Sequence, residues 1–301
     1  MKEESIFFVD PLPRQPLNTF IRRLRRFIFI PPSPDKVEMH RILVTNDDGV
    51  YSAGIRAAVR GVVGLGDLLV AAPSGQRSGV GRSISIFEPL RYNKVNLDGV
   101  EAYEVSGTPT DSVIMGIFWL LKGKLPDLAV SGINIGENIS TDTVTTSGTI
   151  GAALEAASYG IPAITASIQV IDQGDKFDNV NDQAYQFDVA SALVRRVAKN
   201  VLERGLPAGV DILNLNVPVN ATEETEVVVT RLARKIFRTA IQERADPRGR
   251  PYYWIDGDLV CTEREGTDVR AVYQEGKISI TPLTIDNTAR VDFSKITALL
   301  G

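Results

Sequence analysis

Two adjacent carboxylates, Asp47 and Asp48, are the sharpest chemical feature of the sequence. They follow an apolar run and precede Gly49, whose freedom in φ lets the backbone turn so that the two side chains can converge. Two ionised carboxylates this close repel each other unless a cation neutralises them. The tripeptide therefore indicates a divalent-metal site. The alternative is an Asp-Asp-Gly turn that caps the next helix and binds nothing.

Three further polar segments carry groups that suit a cation or a phosphate. Residues 74–79 offer two hydroxyls and one cation, and residues 131–138 include asparagines, whose side-chain oxygens are good ligands for hard cations. Residues 145–149 open an alanine-rich helix with hydroxyls and unpaired backbone N–H groups, which suit a phosphate. Each segment alone also fits a loop, a turn or a plain N-cap. Residues 107–111 are interpreted as mainly structural, with Thr110 as an N-cap.

The single histidine and the single cysteine of the 301-residue chain exclude several kinds of site. A Ser-His-Asp triad, a two-histidine zinc site and an HExxH helix each need a histidine in a defined place, whereas His40 lies just before a strand. With Cys261 alone, an internal disulfide and a cysteine-rich zinc cluster are excluded. Any metal ligands must therefore be mainly oxygens, which favours Mg, Mn or Ca over zinc.

The composition is that of an ordinary soluble protein, with 44% hydrophobic residues and a formal net charge of −4. The charge argues against a general nucleic-acid coat, which would show a basic excess. No run approaches the roughly 20 apolar residues that span a bilayer. We therefore expect a cytoplasmic protein that binds neither a nucleic-acid duplex nor a membrane.

Short apolar runs alternate with helical segments from Met39 onward, which predicts an α/β fold. Since parallel strands need helical crossovers, we expect a doubly wound, mostly parallel sheet with helices on both faces. Ligands in such sheets bind beyond the carboxyl ends of the strands, where the polar segments converge. Strands are predicted at 41–46, 67–73, 101–105, 127–132, 162–167 and 211–218, and helices at 54–63, 110–121, 147–159 and 182–204.

The two ends of the chain depart from this alternation. Residues 1–38 hold six of the sixteen prolines and a basic patch. The apolar run that follows this patch is too short for a secretory signal. We interpret them as an extension outside the core, with a basic surface-binding segment as the alternative, and residues 39–301 as the folded domain. Within 220–285, strands at 226–231, 252–255 and 277–283 with no helix between them predict long hairpins for subunit contacts.

Five short motifs follow one another along the chain. They are Asn46-Asp47-Asp48-Gly49-Val50, Arg77-Ser78-Gly79, Gly107-Thr108-Pro109-Thr110-Asp111, Ser131-Gly132-Ile133-Asn134 and Ser147-Gly148-Thr149. In this order and spacing they resemble the motifs of the SurE (survival protein E) nucleotidases. Any one of them is loose, but five in order are highly specific. The resemblance runs from about residue 40 to about residue 285 and includes residues 246–254 and 279–283.

The resemblance implies a Rossmann-like α/β domain that acts as a phosphatase on nucleoside 5′- and 3′-monophosphates with one divalent cation, Mg, Mn or similar, per subunit. It also implies a homodimer or homotetramer built through the C-terminal hairpins. Matched residue by residue, the family's metal ligands fall on Asp47, Asp48, Ser78 and Asn134. Its phosphate-side residues fall on Ser147, Gly148 and Thr149.

The loop between Asn138 and Ser147 departs from the family pattern. Members often carry a glycine where Ser140 stands and a tyrosine where Thr146 stands. A changed loop over the substrate puts the base preference in doubt, but it leaves the implied metal ligands intact.

The resulting hypothesis is in-line attack of a metal-activated water on a phosphomonoester, with Asp47 or Asp48 accepting the proton of that water. Two other classes stay open: a metal-dependent glycosyl or nucleotidyl transferase, and a non-catalytic nucleotide-binding protein. The binding protein is expected to carry a Gly-x-Gly-x-x-Gly turn after its first strand, and residues 47–51 do not form one. Metal-dependent release of phosphate from a nucleoside monophosphate distinguishes the three.

Overall fold

The computed structural model describes residues 39–171, 185–260 and 263–300. Its strands are β1 (Arg41–Thr45), β2 (Asp67–Pro73), β3 (Tyr92–Leu97), β4 (Val100–Val105), β5 (Leu128–Ile135), β6 (Ala163–Ile168), β7 (Ile212–Val217), β8 (Val227–Val229), β9 (Phe237–Ala245), β10 (Pro251–Leu259) and β11 (Ile278–Leu283). Its α-helices are α1 (Ala53–Val62), α2 (Pro109–Ile114), α3 (Ser140–Thr146), α4 (Gly148–Ser158), α5 (Asp188–Arg204) and α6 (Phe293–Thr297). Met115–Leu120 and Arg270–Gln274 are π-helical, and Ala298–Leu300 is a 3-10 turn.

Nine strands form one sheet in the order β3-β4-β2-β1-β5-β6-β7-β11-β8. The strands from β4 to β7 in this order are parallel, whereas β3 and β11 run antiparallel to their neighbours β4 and β7. The chain leaves β1 toward β2 on one side and later returns through α2 to β5 on the other side. The strand order therefore reverses between β1 and β5, and a reversal of this kind opens a crevice beyond the carboxyl ends of the two strands.

Apolar layers cover both faces of the sheet, as the doubly wound prediction requires. Helices α1 and α5 pack together on one face, and α2 and α4 pack together on the other. Within β1, Ile42 and Val44 belong to the first apolar layer and Leu43 to the second. Burial on both faces explains why this strand is a continuous apolar run and does not alternate with polar residues.

The predicted α/β fold with its mostly parallel sheet is thus confirmed, but several local predictions were wrong. Helix α2 takes Thr108, not Thr110, as its N-cap, and Asp111 completes a capping box with Pro109 at the first position. Residues 140–146 form α3 where the sequence was interpreted as a loop, because tertiary contacts outweigh the low helix propensity of threonine. Strand β3 was missed altogether.

The C-terminal region differs most from its prediction. It contains one hairpin, in which β9 and β10 pair antiparallel from Phe237–Leu259 to Ala245–Pro251. The strands expected at 226–231 and 277–283 instead join the large sheet as β8 and β11. A π-helical segment, Arg270–Gln274, lies where no helix was expected. Strand propensity alone does not specify a partner, so the pairing could not be read from the pattern.

Some predictions fall outside the described residues. They are the extension at 1–38, Cys261, and residues 182–184 of the predicted helix 182–204. In the described part, that helix begins at Asp188. None of the described helices has both the length and the apolar character that crossing a bilayer requires.

Candidate active site

A cavity of about 730 Å³ opens at the carboxyl edge of the sheet, where the polar segments were expected to converge. Among its twenty described lining residues, five are acidic and none is Lys, Arg or His. The lining residues are Asp47, Asp48, Ser52, Gln76, Ser78, Gly79, Asn134, Ile135, Gly136, Glu137, Asn138, Asp142, Thr143, Thr146, Ser147, Phe237, Thr239, Ile255, Asp256 and Gly257. The cavity thus has a strongly negative wall.

The turn after β1 places Asp47 and Asp48 on this wall. The side-chain nitrogen of Asn46 donates to the Gly49 carbonyl at 3.1 Å and to the Ser52 hydroxyl at 2.8 Å, and Gly49 has a φ of +101°. Ser52 is the N-cap of α1 and accepts the N–H of Ile55. Because another residue caps α1, the alternative interpretation of the aspartate pair as a helix cap is excluded.

Asp47 is the more deeply buried of the pair, with 3% of its surface exposed. Burial raises the pKa of its carboxyl, and hydrogen bonds from Thr149 and Gly148 lower it in part. The Thr149 hydroxyl donates to Oδ1 of Asp47, and the Arg77 N–H donates to the Asp47 carbonyl at 2.6 Å. These contacts fix the side chain and connect it to the segment that carries Ser78.

Asp48, after β1, is tied to the carboxyl end of the neighbouring strand β5, which carries Asn134. The N–H of Ile135 donates to Oδ2 of Asp48 at 3.3 Å. The side-chain nitrogen of Asn134 donates to the Gly136 carbonyl at 2.5 Å. Since that nitrogen is committed to the protein, the amide oxygen is the atom that Asn134 offers to a ligand.

Ser78 lies in a loop that two hydrogen bonds hold in place. The Gln76 side chain donates to the Ser78 hydroxyl at 3.1 Å, and the Gly81 N–H donates to the Thr146 carbonyl at 2.8 Å. Asp47, Asp48, Ser78 and Asn134 therefore line one cavity although they come from three separate segments.

The three predicted phosphate-side residues occupy different places. Ser147 lines the cavity and is the N-cap of α4, accepting the N–H of Ile150 at 3.2 Å. Gly148 and Thr149 are not among the lining residues, and both contact Asp47 instead. A Cβ at Gly148 would lie 2.8 Å from the Asp47 Cβ, so only glycine permits this approach. A phosphate contact for Gly148 and Thr149 stays a prediction.

The segment between Asn138 and Ser147 borders the cavity. Ser140 has a φ of +67°, in the left-handed region that glycine adopts without strain and other residues adopt rarely. The buried Asp268 accepts the Ser140 N–H at 2.8 Å. Thr146 lines the cavity and its carbonyl accepts the Gly81 N–H.

Sequence reasoning gave no role in the site to several residues that the structure brings there. Glu137 accepts the Tyr273 hydroxyl at 2.5 Å, and Asp142 accepts the Ile236 N–H at 3.3 Å. Phe237, Ile255 and Asp256 reach the cavity from the hairpin. No local signal marks these hairpin residues, because only the folding of the hairpin back over the sheet edge brings them there.

His40 lies away from the cavity, as its position before β1 predicts. Its Nδ1 is 4.0 Å from a carboxylate oxygen of Asp127, which precedes β5 at the amino edge of the sheet. A catalytic histidine is therefore absent from the described lining of the cavity.

The donor chemistry fits a hard divalent cation. In the described part of the chain, no group of three His, Cys, Asp or Glu side chains is arranged to hold a metal ion. The candidate set has two carboxylates, a hydroxyl and an amide oxygen. Magnesium is commonly held in this way, by one or two carboxylates together with water and the phosphate of the substrate.

Comparison with known protein families and curated proteins gives matches over most of the chain. The family model of survival protein SurE matches residues 42–239. A protein of Methanothrix thermoacetophila named 5′-nucleotidase SurE is 75% identical over 262 residues, which cover 87% of this chain and 99% of that protein. A protein of the same name from Archaeoglobus fulgidus is 52% identical over 253 residues, covering 84% and 94% of the two chains.

A solved structure has a similar fold. The crystal structure of the SurE protein from Aquifex aeolicus matches with a TM-score of 0.72 and 34% sequence identity. The match covers 87% of this chain and 100% of that chain.

Proposed function

Because this chain belongs to the SurE family, as its motifs predicted, we propose that it is a 5′-nucleotidase, a phosphomonoester hydrolase that cleaves nucleoside monophosphates with the help of a divalent cation. The name of the Methanothrix relative, 75% identical over nearly its whole length, supports the enzyme class and the nucleotide substrate. The cation dependence and the path of the attacking water rest on the chemistry of the cavity.

One observation carries the metal dependence: the described lining of the cavity holds five carboxylates and no basic side chain. A phosphate monoester carries nearly two negative charges at neutral pH, and like charges brought together at an interface cost several kcal/mol. A cavity of this charge accepts such a substrate only with a compensating cation. The four oxygen donors of Asp47, Asp48, Ser78 and Asn134 are the residues that would hold it.

When bound there, a divalent cation would neutralise phosphoryl oxygens and lower the pKa of the water that attacks in line. The chain itself supplies the remaining functions. Ser147, at the start of α4, offers its hydroxyl and the positive end of the helix dipole to the phosphate. Its position on the cavity wall supports this role.

Asp48 is the better candidate to accept the proton of the attacking water. Asp47 is almost fully buried and one of its oxygens already accepts the Thr149 hydroxyl, whereas Asp48 is only partly buried. A general base must reach water, and the greater exposure of Asp48 supports that assignment. Thr149 then acts by holding Asp47 in place.

The test is phosphate release from a panel of nucleoside monophosphates, with EDTA and then with Mg²⁺ or Mn²⁺ restored. We expect release that EDTA abolishes and metal restores, and a loss of at least about 100-fold in kcat for Asp48→Asn. Asp67→Asn, at the exposed start of β2 on the opposite edge of the sheet, is the matched control and should keep full activity.

The possible outcomes separate the competing classes. Transfer to a sugar or nucleotide acceptor without free phosphate would indicate a transferase. Binding of the nucleotide without turnover under any metal would indicate a binding protein. Near-normal activity of Asp48→Asn would refute its assignment as ligand and base.

The remaining expectations stay predictions of this proposal. They are hydrolysis of 3′-monophosphates, a single cation per subunit, a homodimer or homotetramer, no binding to a nucleic-acid duplex or a membrane, and a cytoplasmic location.

A further inference from the structure

The hairpin of β9 and β10 contributes a quarter of the described cavity lining, five residues of twenty. The lining residues of the hairpin differ chemically from the other lining residues. The lining includes three large apolar side chains, Ile135, Phe237 and Ile255, and two of these three belong to the hairpin. Phe237 is also the one aromatic residue among the described lining residues.

The register of the hairpin shows that these residues share one surface. Leu259 pairs with Phe237, Gly257 with Thr239 and Ile255 with Ile241. Side chains alternate between the two faces of a strand, so Phe237, Thr239, Gly257 and Ile255 lie on the same face. Four of the five lining residues of the hairpin therefore share one face, whereas alternation places Asp256 on the other face.

Gly257 lies on this face between Ile255 and Leu259 of the same strand. A glycine inside a strand often marks a place where another backbone approaches closely. Here a Cβ would lie 2.8 Å from the Arg238 carbonyl oxygen of the neighbouring strand, so the hairpin pairs closely at this point only with a glycine. Ile255 is 75% exposed in the single chain and lines the cavity, so its side chain adds apolar surface to the cavity wall.

The part of the cavity wall outside the hairpin has the chemistry of the phosphate end. Asp47, Asp48, Ser78, Asn134 and Ser147 all carry oxygen donors there. A nucleoside monophosphate has the same polarity, with a charged phosphate at one end and a flat, mostly apolar base at the other. A cavity of about 730 Å³ is within the size range of sites for such ligands.

We propose that the hairpin face formed by Phe237, Ile255 and Gly257 is the subsite for the nucleobase, so that the hairpin sets the preference for nucleoside monophosphates over small phosphomonoesters without a base. This inference rests on the proposed function and deepens it. The base lies against the apolar face, while the phosphate lies at the aspartate pair.

The test compares AMP with glycerol 2-phosphate, a phosphomonoester that has no base, under the same concentration of Mn²⁺. For the full-length Ile255→Ala enzyme we expect kcat/KM for AMP to fall about tenfold, as loss of an apolar or stacking contact does. The value for glycerol 2-phosphate should stay unchanged. Phe237→Leu, which keeps an apolar side chain but removes the ring, should show the same selective loss.

The matched control is Ile86→Ala. Ile86 is 73% exposed, close to the exposure of Ile255, lies outside the hairpin, and is not among the residues that line the cavity. Its substitution should leave both substrates unaffected. Light scattering of each variant verifies that the assembly state matches that of the wild type.

Two results would overturn the inference. One is an equal loss for AMP and glycerol 2-phosphate in Ile255→Ala and Phe237→Leu, and the other is no loss for either. Equal kcat/KM of the wild-type enzyme for the two substrates would also overturn it while leaving the phosphatase assignment intact. Failure of the proposed function itself would look different, because the wild type would then release no phosphate from AMP.

Discussion

Substitution of Gly148 by alanine is expected to change the geometry of the site, and therefore the activity, more than it changes the stability of the fold. Gly148 is the first residue of α4 and lies directly against Asp47. A Cβ at this position would be 2.8 Å from the Asp47 Cβ, 2.9 Å from its Oδ2 and 3.0 Å from the Arg77 carbonyl oxygen. Carbon atoms in contact normally lie about 3.5–4.0 Å apart, so the aspartate or the helix must move by about 1 Å.

The magnitudes predict an unequal effect of this substitution on activity and stability. A misplacement of about 1 Å at a reacting group costs about 100-fold in rate. Overpacking costs about 1–3 kcal/mol, and alanine is the better helix former by up to about 1 kcal/mol, so the net loss of stability is at most about 3 kcal/mol. We therefore expect Gly148→Ala to fold and to lose about 100-fold in kcat/KM.

Steady-state phosphate release and urea denaturation measure the two quantities on the same preparation. Gly75→Ala is the matched control, because the position for a Cβ there has no heavy atom within 4 Å and the backbone does not need a positive φ. It should keep both activity and stability. Wild-type activity in Gly148→Ala would refute the argument that contact with this glycine fixes Asp47.

Two further predictions concern the group of Arg82, Glu155 and Tyr159 beside the site. Arg82→Ala should lower the free energy of unfolding by about 1–3 kcal/mol, because Nε of Arg82 lies 2.8 Å from the buried Glu155 carboxylate, which then loses its cation. Urea denaturation measures this free energy, and Arg82→Lys should recover part of the loss. An unchanged urea midpoint in Arg82→Ala would contradict a stabilising role of the pair. Burial raises the pKa of Tyr159 to about 12, so the folded state favours the neutral phenol and loses stability as pH rises from about 10 to about 12. Absorbance titrations of the wild type and of Tyr159→Phe should differ by one phenol that ionises near pH 12. If the phenol missing from Tyr159→Phe instead ionises near pH 10, the raised pKa of Tyr159 is refuted.

Local sequence patterns were sufficient for the central elements. Strands β1 and β2 and helix α1 begin and end within one or two residues of their predicted bounds. Their runs of apolar residues are short and bounded by turn residues, so burial and backbone geometry favour the same structure. The alternation of such units also predicted the parallel sheet and the edge at which the polar segments meet.

Local patterns failed where a structure depends on residues distant in sequence. Residues 140–146 are rich in threonine and form α3 only in the context of the folded chain, with Thr141 held by the Ala233 carbonyl. Strand β11 has the same kind of pattern as a hairpin strand, but it pairs with β7. A pattern of period two tells which residues form a strand and not which strand they join.

The sequence by itself predicted the family and the chemistry of the candidate site. Asp47 and Asp48 on one turn, one histidine placed before β1, and five motifs in order predicted an oxygen-ligand cation site in a nucleotidase family. Tertiary structure alone decided how the site is enclosed. Gly148 lies against Asp47, and the hairpin face of Phe237, Ile255 and Gly257 lines the same cavity as Asp47. These contacts join residues that are about 100 or more positions apart in sequence, a separation that no local periodicity encodes.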